Sequence, residues 1–146
     1  MTATLVVPDI AALLVGEWRL DRTVSDGGDM VGRASFTPSL EGLRYRESGR
    51  LRLEDGKGYD FERRYLYRIS GLRMDVFFDE TLPRLFQSVR LAQINGISVG
   101  EGFHACPPDI YRSRYWLEEG VVRIEHVVSG PRKDYTISST LTRIDD

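Results

Sequence analysis

Cysteine occurs once in this chain of 146 residues, at Cys106. A lone thiol cannot close an internal disulfide, so nothing points to an oxidising compartment and a cytoplasmic protein is expected. Long apolar runs are missing as well. The N-terminal stretch through Val15 carries Asp9, has no basic n-region and is too short for a membrane span, so neither a leader nor a membrane partner is expected. Nor is positive charge in excess: a formal net charge of −2 leaves no overall basic field to displace counterions from phosphates, which argues against a nucleic-acid partner. Arg44, Arg46, Arg50 and Arg52 recur at even spacing, as the solvent face of one strand does. The sequence has no Gly-rich phosphate cradle and no G-x-S-x-G elbow, so nucleotide-dependent chemistry is not expected. With no second cysteine and no H-x-H pair, no metal site and no cofactor are expected either. A ferric haem on His104 or His126 stays a third alternative, decided by the colour of the purified protein.

What is present reads as β structure. The length suits one domain, 1–146, with a core large enough to need no staple. One short helix is predicted over 9–15, with Ile10, Leu13 and Leu14 on one face and Gly16 as its stop. Beyond it the pattern has period two, and strands are predicted over 17–22, 32–37, 43–53, 59–69, 72–79, 86–92, 96–104, 110–118, 121–129 and 134–144. The breaks between them, such as Asp55-Gly56, Ser70-Gly71, Asn95-Gly96 and Glu119-Gly120, are short enough for hairpins. Sequential hairpins without crossover helices give a meander, and about ten twisted strands close more readily than they leave two edges bare. The expected fold is therefore all-β: a closed antiparallel up-and-down barrel of about ten strands plugged by the helix, with a sandwich as the alternative. Leu43, Tyr45, Glu47, Gly49 and Leu51 should face inward, and Arg63 should share the inner face with Phe61, Tyr65, Tyr67 and Ile69.

Gly16-Glu17-Trp18 after a short helix, answered by Arg143 on the last strand, resembles the opening and closing of the lipocalin and fatty-acid-binding barrels. In those, the tryptophan plugs the floor and an arginine packs across it. The whole chain resembles a family of small lipocalin-like (calycin-type) proteins of unknown function. It does so through Gly16-x-Trp18-x-Leu20-x-Arg22, Phe36, Tyr45-x-Glu47-x-Gly49, Tyr65 and Tyr67, Val76-x-Phe78, His104-x-Cys106-x-x-Asp109-x-Tyr111 and Gly130-Pro131-Arg132-Lys133-Asp134-Tyr135. The resemblance implies the fold and a shared inner site, and brings no reaction with it.

Candidate chemistry gathers in the last two of these motifs. His104 titrates near neutral pH and suits acid–base work, or is a hydrogen-bonded structural histidine. Cys106 is a nucleophile if His104 lowers its pKa, or fills space. Lys133, one of two lysines against eighteen arginines, should pair with Asp134, Glu47 or Asp109 if it lies inside, because an unpaired interior charge is costly. Tyr45, Glu47, Tyr65, Tyr67, Tyr111 and Tyr135 present apolar bodies with polar tips to a ligand, and Arg22 and Arg63 suit a ligand carboxylate. The sequence therefore points to a binder of a small, partly aromatic, anionic or carbonyl-bearing molecule in the barrel interior. The alternative is a cofactor-independent isomerase, cyclase or lyase with His104 as base, Asp109 orienting it, and Tyr111 or Lys133 as donor. A homodimer through an outward Val76-Phe77-Phe78 run is a further alternative.

Overall fold

The computed structural model describes residues 8–144. Residues 1–7, read above as part of a stretch without a leader, lie outside that range. Helix α1 (Ile10–Leu14) is followed by ten strands: β1 (Gly16–Val24), β2 (Asp29–Ser39), β3 (Gly42–Arg52), β4 (Gly58–Ser70), β5 (Arg73–Phe78), β6 (Arg84–Ile94), β7 (Ile97–Cys106), β8 (Asp109–Glu118), β9 (Val121–Ser129) and β10 (Asp134–Arg143). Each strand pairs antiparallel with its sequence neighbour, and β1 pairs with β10, so the barrel is closed in meander order. Closure satisfies both edges, as the ten-strand reading requires. Among the described residues no helix is long and apolar enough to cross a membrane.

The helix is too short to stand alone. It is held at its start by Asp9, whose side chain accepts from the Ala12 amide at 3.0 Å, and it buries Ile10 and Leu14. Its far end is fixed by the floor residues. Trp18, fully buried, donates from Nε1 to the Leu14 carbonyl at 2.9 Å. The Arg143 guanidinium lies 4.4 Å over the Trp18 ring and donates to the Val15 and Leu13 carbonyls at 3.0 and 2.6 Å. One arginine thus satisfies helix carbonyls that have no intrahelical partner and covers an aromatic face at the same time.

Above this floor the inward side chains alternate as period two demands. On β3 Leu43, Tyr45 and Glu47 are buried while Arg46 is exposed. The Val76-Phe77-Phe78 run is divided by the same rule: Val76 is buried, Phe78 packs on the core, and Phe77 faces out beneath the Arg68 guanidinium at 4.9 Å. No continuous outward apolar run remains there for a dimer contact. On β4 Leu66 is buried at an outward position beside Tyr67, and on β6 the pairing itself is interrupted. The pairing of β5 with β6 shifts between Val76 and Phe77, so Leu85 and Gln87 face consecutive β5 residues and Phe86 is an extra residue. Both Phe86 and Gln87 are buried as a result, which is the effect of a β-bulge.

The floor contacts set an expectation for stability. Arg143→Met keeps the aliphatic stem but removes two charge-assisted bonds to helix carbonyls, and should cost roughly 1.5–3 kcal/mol in urea unfolding. Arg19→Ala, on the exposed face of β1, should cost less than about 0.5 kcal/mol. Equal losses in the two variants would mean that the plug is not anchored by Arg143.

Candidate functional site

The interior is layered. Above the apolar floor lies a polar ring, and above that an aromatic rim at the end of the barrel away from α1.

The ring is centred on Glu47, which is 1% exposed. Its carboxylate accepts from Arg22 Nη1 at 2.7 Å and Nη2 at 2.8 Å, and from the Tyr45 hydroxyl at 2.5 Å. Arg22 Nε donates to Ser139 Oγ at 2.7 Å, so all three nitrogens of its fork are engaged. Burial opposes the charge on Arg22, yet its bonds to Glu47 prevail and its pKa is raised. Burial first, then the adjacent Glu47 charge, holds the Tyr45 hydroxyl well above its usual range, which keeps it a proton donor. Arg22 reaches Glu47 across β2, where Gly32 and Ala34 occupy the inward positions. A Cβ on Gly32 would run into the Ser48 carbonyl, and one on Gly49, its register partner, into the Val31 carbonyl, so the close approach of β2 and β3 requires glycine at both.

A second polar chain runs along the other side of the ring. The Tyr115 hydroxyl donates to Gln87 Oε1 at 2.5 Å, Gln87 Nε2 donates to Ser113 Oγ at 2.5 Å, and Ser113 Oγ lies 2.5 Å from His126 Nδ1. Gln87, Ser113 and Tyr115 are buried. His126 is half-buried; burial, then the positive charges of Arg22 and Arg63, lower its pKa to about 4, with Glu47 opposing. It is neutral at physiological pH.

Between these two groups lies a cavity of about 50 Å³, lined by Arg22, Tyr45, Glu47, Arg63, Tyr65, Tyr67, Phe86, Tyr115, His126 and Ser139 among others. A cavity of about 150 Å³ holds benzene; this one is about a third of that, room for ordered water or a carboxylate-sized group. Arg63 is the exposed member of the lining. It faces Glu47 in register, but Glu47 is committed to Arg22. The polar contact that Arg63 does make is with the Tyr65 hydroxyl at 3.5 Å, and among the described residues it forms no ion pair.

The rim is aromatic. His104 packs against Phe86 with ring centroids 5.1 Å apart, against Phe78 at 6.0 Å and against Tyr111 at 6.2 Å, while Phe86 also meets Tyr65 at 6.0 Å. Lys133 Nζ pairs with Asp109 Oδ2 at 3.0 Å at this end, and that bond raises the Lys133 pKa. Asp109 also sits against Gly130, where any Cβ would collide with its carboxylate.

The structure therefore brings Arg22, Tyr45, Glu47, Arg63, Tyr65 and Tyr67 to one cavity, and puts His104, Tyr111 and half-buried Tyr135 on inward positions at the rim. It separates other candidates. Asp109 is taken by Lys133, and among the described residues no hydrogen bond joins it to His104, so the acid–base pair expected from H-x-C-x-x-D is not assembled. Cys106 is exposed at the end of β7, away from the cavity. Among the described residues no three His, Cys, Asp or Glu side chains gather as a metal site. Gln87, Ser113 and Tyr115 are polar interior residues that the sequence does not single out, and His126 is marked there only as an alternative haem ligand. Inward alternation marks Ser113 beside Tyr111 and Tyr115, His126 beside Ile124 and Val128, and Gln87 beside Val89 and Leu91.

No curated protein sequence matches the chain. Solved structures that it resembles include a redesigned β-barrel (17% identity, 93% of this chain and 96% of the other, TM-score 0.49). Another redesigned β-barrel, bound to DFHBI, shares 13% identity over 92% of this chain and 98% of its own, with a TM-score of 0.43. A de novo designed fluorescence-activating β-barrel shares 12% identity over 94% and 99%, with a TM-score of 0.44. A family model matches residues 14–143, the span from the last turn of the plug helix to the arginine that anchors it, and the chain therefore belongs to the family of unknown function DUF6314.

Proposed function

We propose that this protein binds a small organic acid, or a related carbonyl compound, in the barrel interior. The acceptor oxygens would enter the polar ring, and an apolar or aromatic body would lie against the rim. One observation carries the reading: Arg22 is neutralised by Glu47, whereas Arg63 reaches the same cavity with no carboxylate partner among the described residues. A cation left over at a concave polar site is suited to an anionic ligand. The cavity volume supports the division of labour, since about 50 Å³ holds the head group alone and leaves the body to Tyr65, Phe78, Phe86, His104 and Tyr111. The tryptophan floor crossed by Arg143 supports placing the chain among lipocalin-like binding barrels.

Titration calorimetry with benzoate tests the reading. Benzoate should bind and benzylamine should not. Arg63→Met should weaken benzoate by ~10-fold or more, as loss of a charge-assisted bond does, while Arg46→Met, on the outer face against Glu62, should leave it unchanged. Absence of binding by any aryl or alkyl carboxylate would overturn the proposal.

The neutral His126 gives a second expectation. Unfolded, its imidazole takes up a proton near pH 6.5; folded, only near pH 4. Between these values the unfolded chain binds more protons. The contribution is thus complete above pH 6.5 and is lost as the pH falls toward 4. At about 1.4 kcal/mol per unit, wild type should lose roughly 2–3 kcal/mol more than His126→Phe across that window in urea unfolding. Identical pH profiles for the two proteins would show that His126 is not held neutral by burial.

A further inference from the structure

The orientation of every proton in the Tyr115–Gln87–Ser113–His126 chain can be assigned from what each group has to give. Tyr115 is 1% exposed and its hydroxyl meets Gln87 Oε1. If the Gln87 amide were reversed, Tyr115 would accept from it, and the buried Tyr115 proton would have no acceptor among the described residues, a cost of about 1–3 kcal/mol. With Tyr115 donating, Gln87 Nε2 must donate to Ser113 Oγ. Ser113 has one proton, no other acceptor for it is present among the described residues, and it therefore goes to His126 Nδ1, 2.5 Å away. A neutral imidazole that accepts at Nδ1 carries its own proton on Nε2. Nδ1 is thereby spent on the wall of the barrel, and Nε2–H is the donor left to a ring that lines the cavity.

Building on the ligand reading of the preceding section, we propose that His126 is the specificity-determining residue of the cavity, fixed by Ser113 and Gln87 as an uncharged Nε2–H donor that admits a ligand's acceptor oxygen and rejects a donor group. Arg63 supplies the charge and His126 the direction. The two together suit a carboxylate, one oxygen to each, more than a singly accepting carbonyl or alcohol. Gln87, Ser113 and Tyr115 act through His126 as positioning residues; they hold its tautomer. Rejection of amines follows from the same lock, because an ammonium group would meet the Nε2–H donor and the Arg63 cation while the Glu47 carboxylate is already engaged by Arg22 and Tyr45.

The test has two readouts, one of them independent of any ligand. Long-range 1H–15N correlation of 15N-histidine-labelled protein, with His104→Gln to separate the two rings, should show His126 at pH 7 as a single neutral Nε2–H tautomer. Ser113→Ala should turn it into a mixture. Benzoate calorimetry should then find His126→Phe weakened ~10-fold or more, and Ser113→Ala weakened by a smaller factor, with the preference for benzoate over benzyl alcohol reduced in both. An Nδ1–H tautomer in wild type overturns the proposal whatever the ligand does, and needs no variant to fold. If wild type binds benzoate and His126→Phe binds it equally well, His126 is not the selector although the protein is still an acid binder. If wild type binds no carboxylate at all, the ligand reading fails and selection by His126 fails with it.

Discussion

The buried Arg22–Glu47 pair is the constraint around which the interior is arranged. Two charges removed from water cost several kcal/mol each unless their hydrogen bonds are replaced, and here the replacement is close to complete. Glu47 accepts three bonds and Arg22 commits all three of its nitrogens. Such a pair adds little net stability over apolar residues of the same volume, but removing either partner would strand the other. It ties β1 to β3 over the top of β2 and to Ser139 on β10, so four consecutive staves of the barrel are set in register by one contact. The small residues Gly32 and Ala34 on β2, and the Gly32–Gly49 crossing beside them, are the backbone consequence.

The same pair decides which groups are left for a ligand. Glu47 is opposite Arg63 in register, and had it bonded Arg63 instead, the free guanidinium would be the buried Arg22. Because Glu47 chooses the buried arginine, the remaining cation is the solvent-facing one, whose charge stays hydrated until an anion binds. The opposite wall is built on another principle. It carries no charge, and a chain of hydrogen bonds ends in a neutral histidine. The cavity thus sits between a charged wall and a dipolar one, with aromatic rings above and a packed floor below.

The fold was legible because the rules that set it are local. Period-two alternation, glycine turns and an N-capped helix all lie within a few residues, and each predicted strand coincides with an observed one to within a few positions at its ends. The inward placement of Tyr45, Glu47, Arg63, Tyr65 and Tyr67 followed from the same parity. Partnership did not, because it depends on distances between strands. Nothing in the sequence says that Glu47 joins Arg22 and not Arg63, or that Asp109 turns to Lys133 and not His104. The bulge is equally illegible: an extra residue at Phe86 breaks parity on β6 and buries Phe86 beside Gln87, which keeps the inward parity of Val89 and Leu91. His104, at the rim, has a motif around it, whereas His126, inside the ring, stands in a run of ordinary alternation.

A crystal structure of the wild-type protein with benzoate bound is the most direct test of this account. The account predicts the carboxylate in the polar ring, one oxygen within hydrogen-bond distance of the Arg63 guanidinium and the other of His126 Nε2, with the Arg22–Glu47 bonds unchanged and the phenyl ring against Phe86 and His104. A carboxylate that displaces Glu47 from Arg22, or that binds outside the barrel, would contradict it.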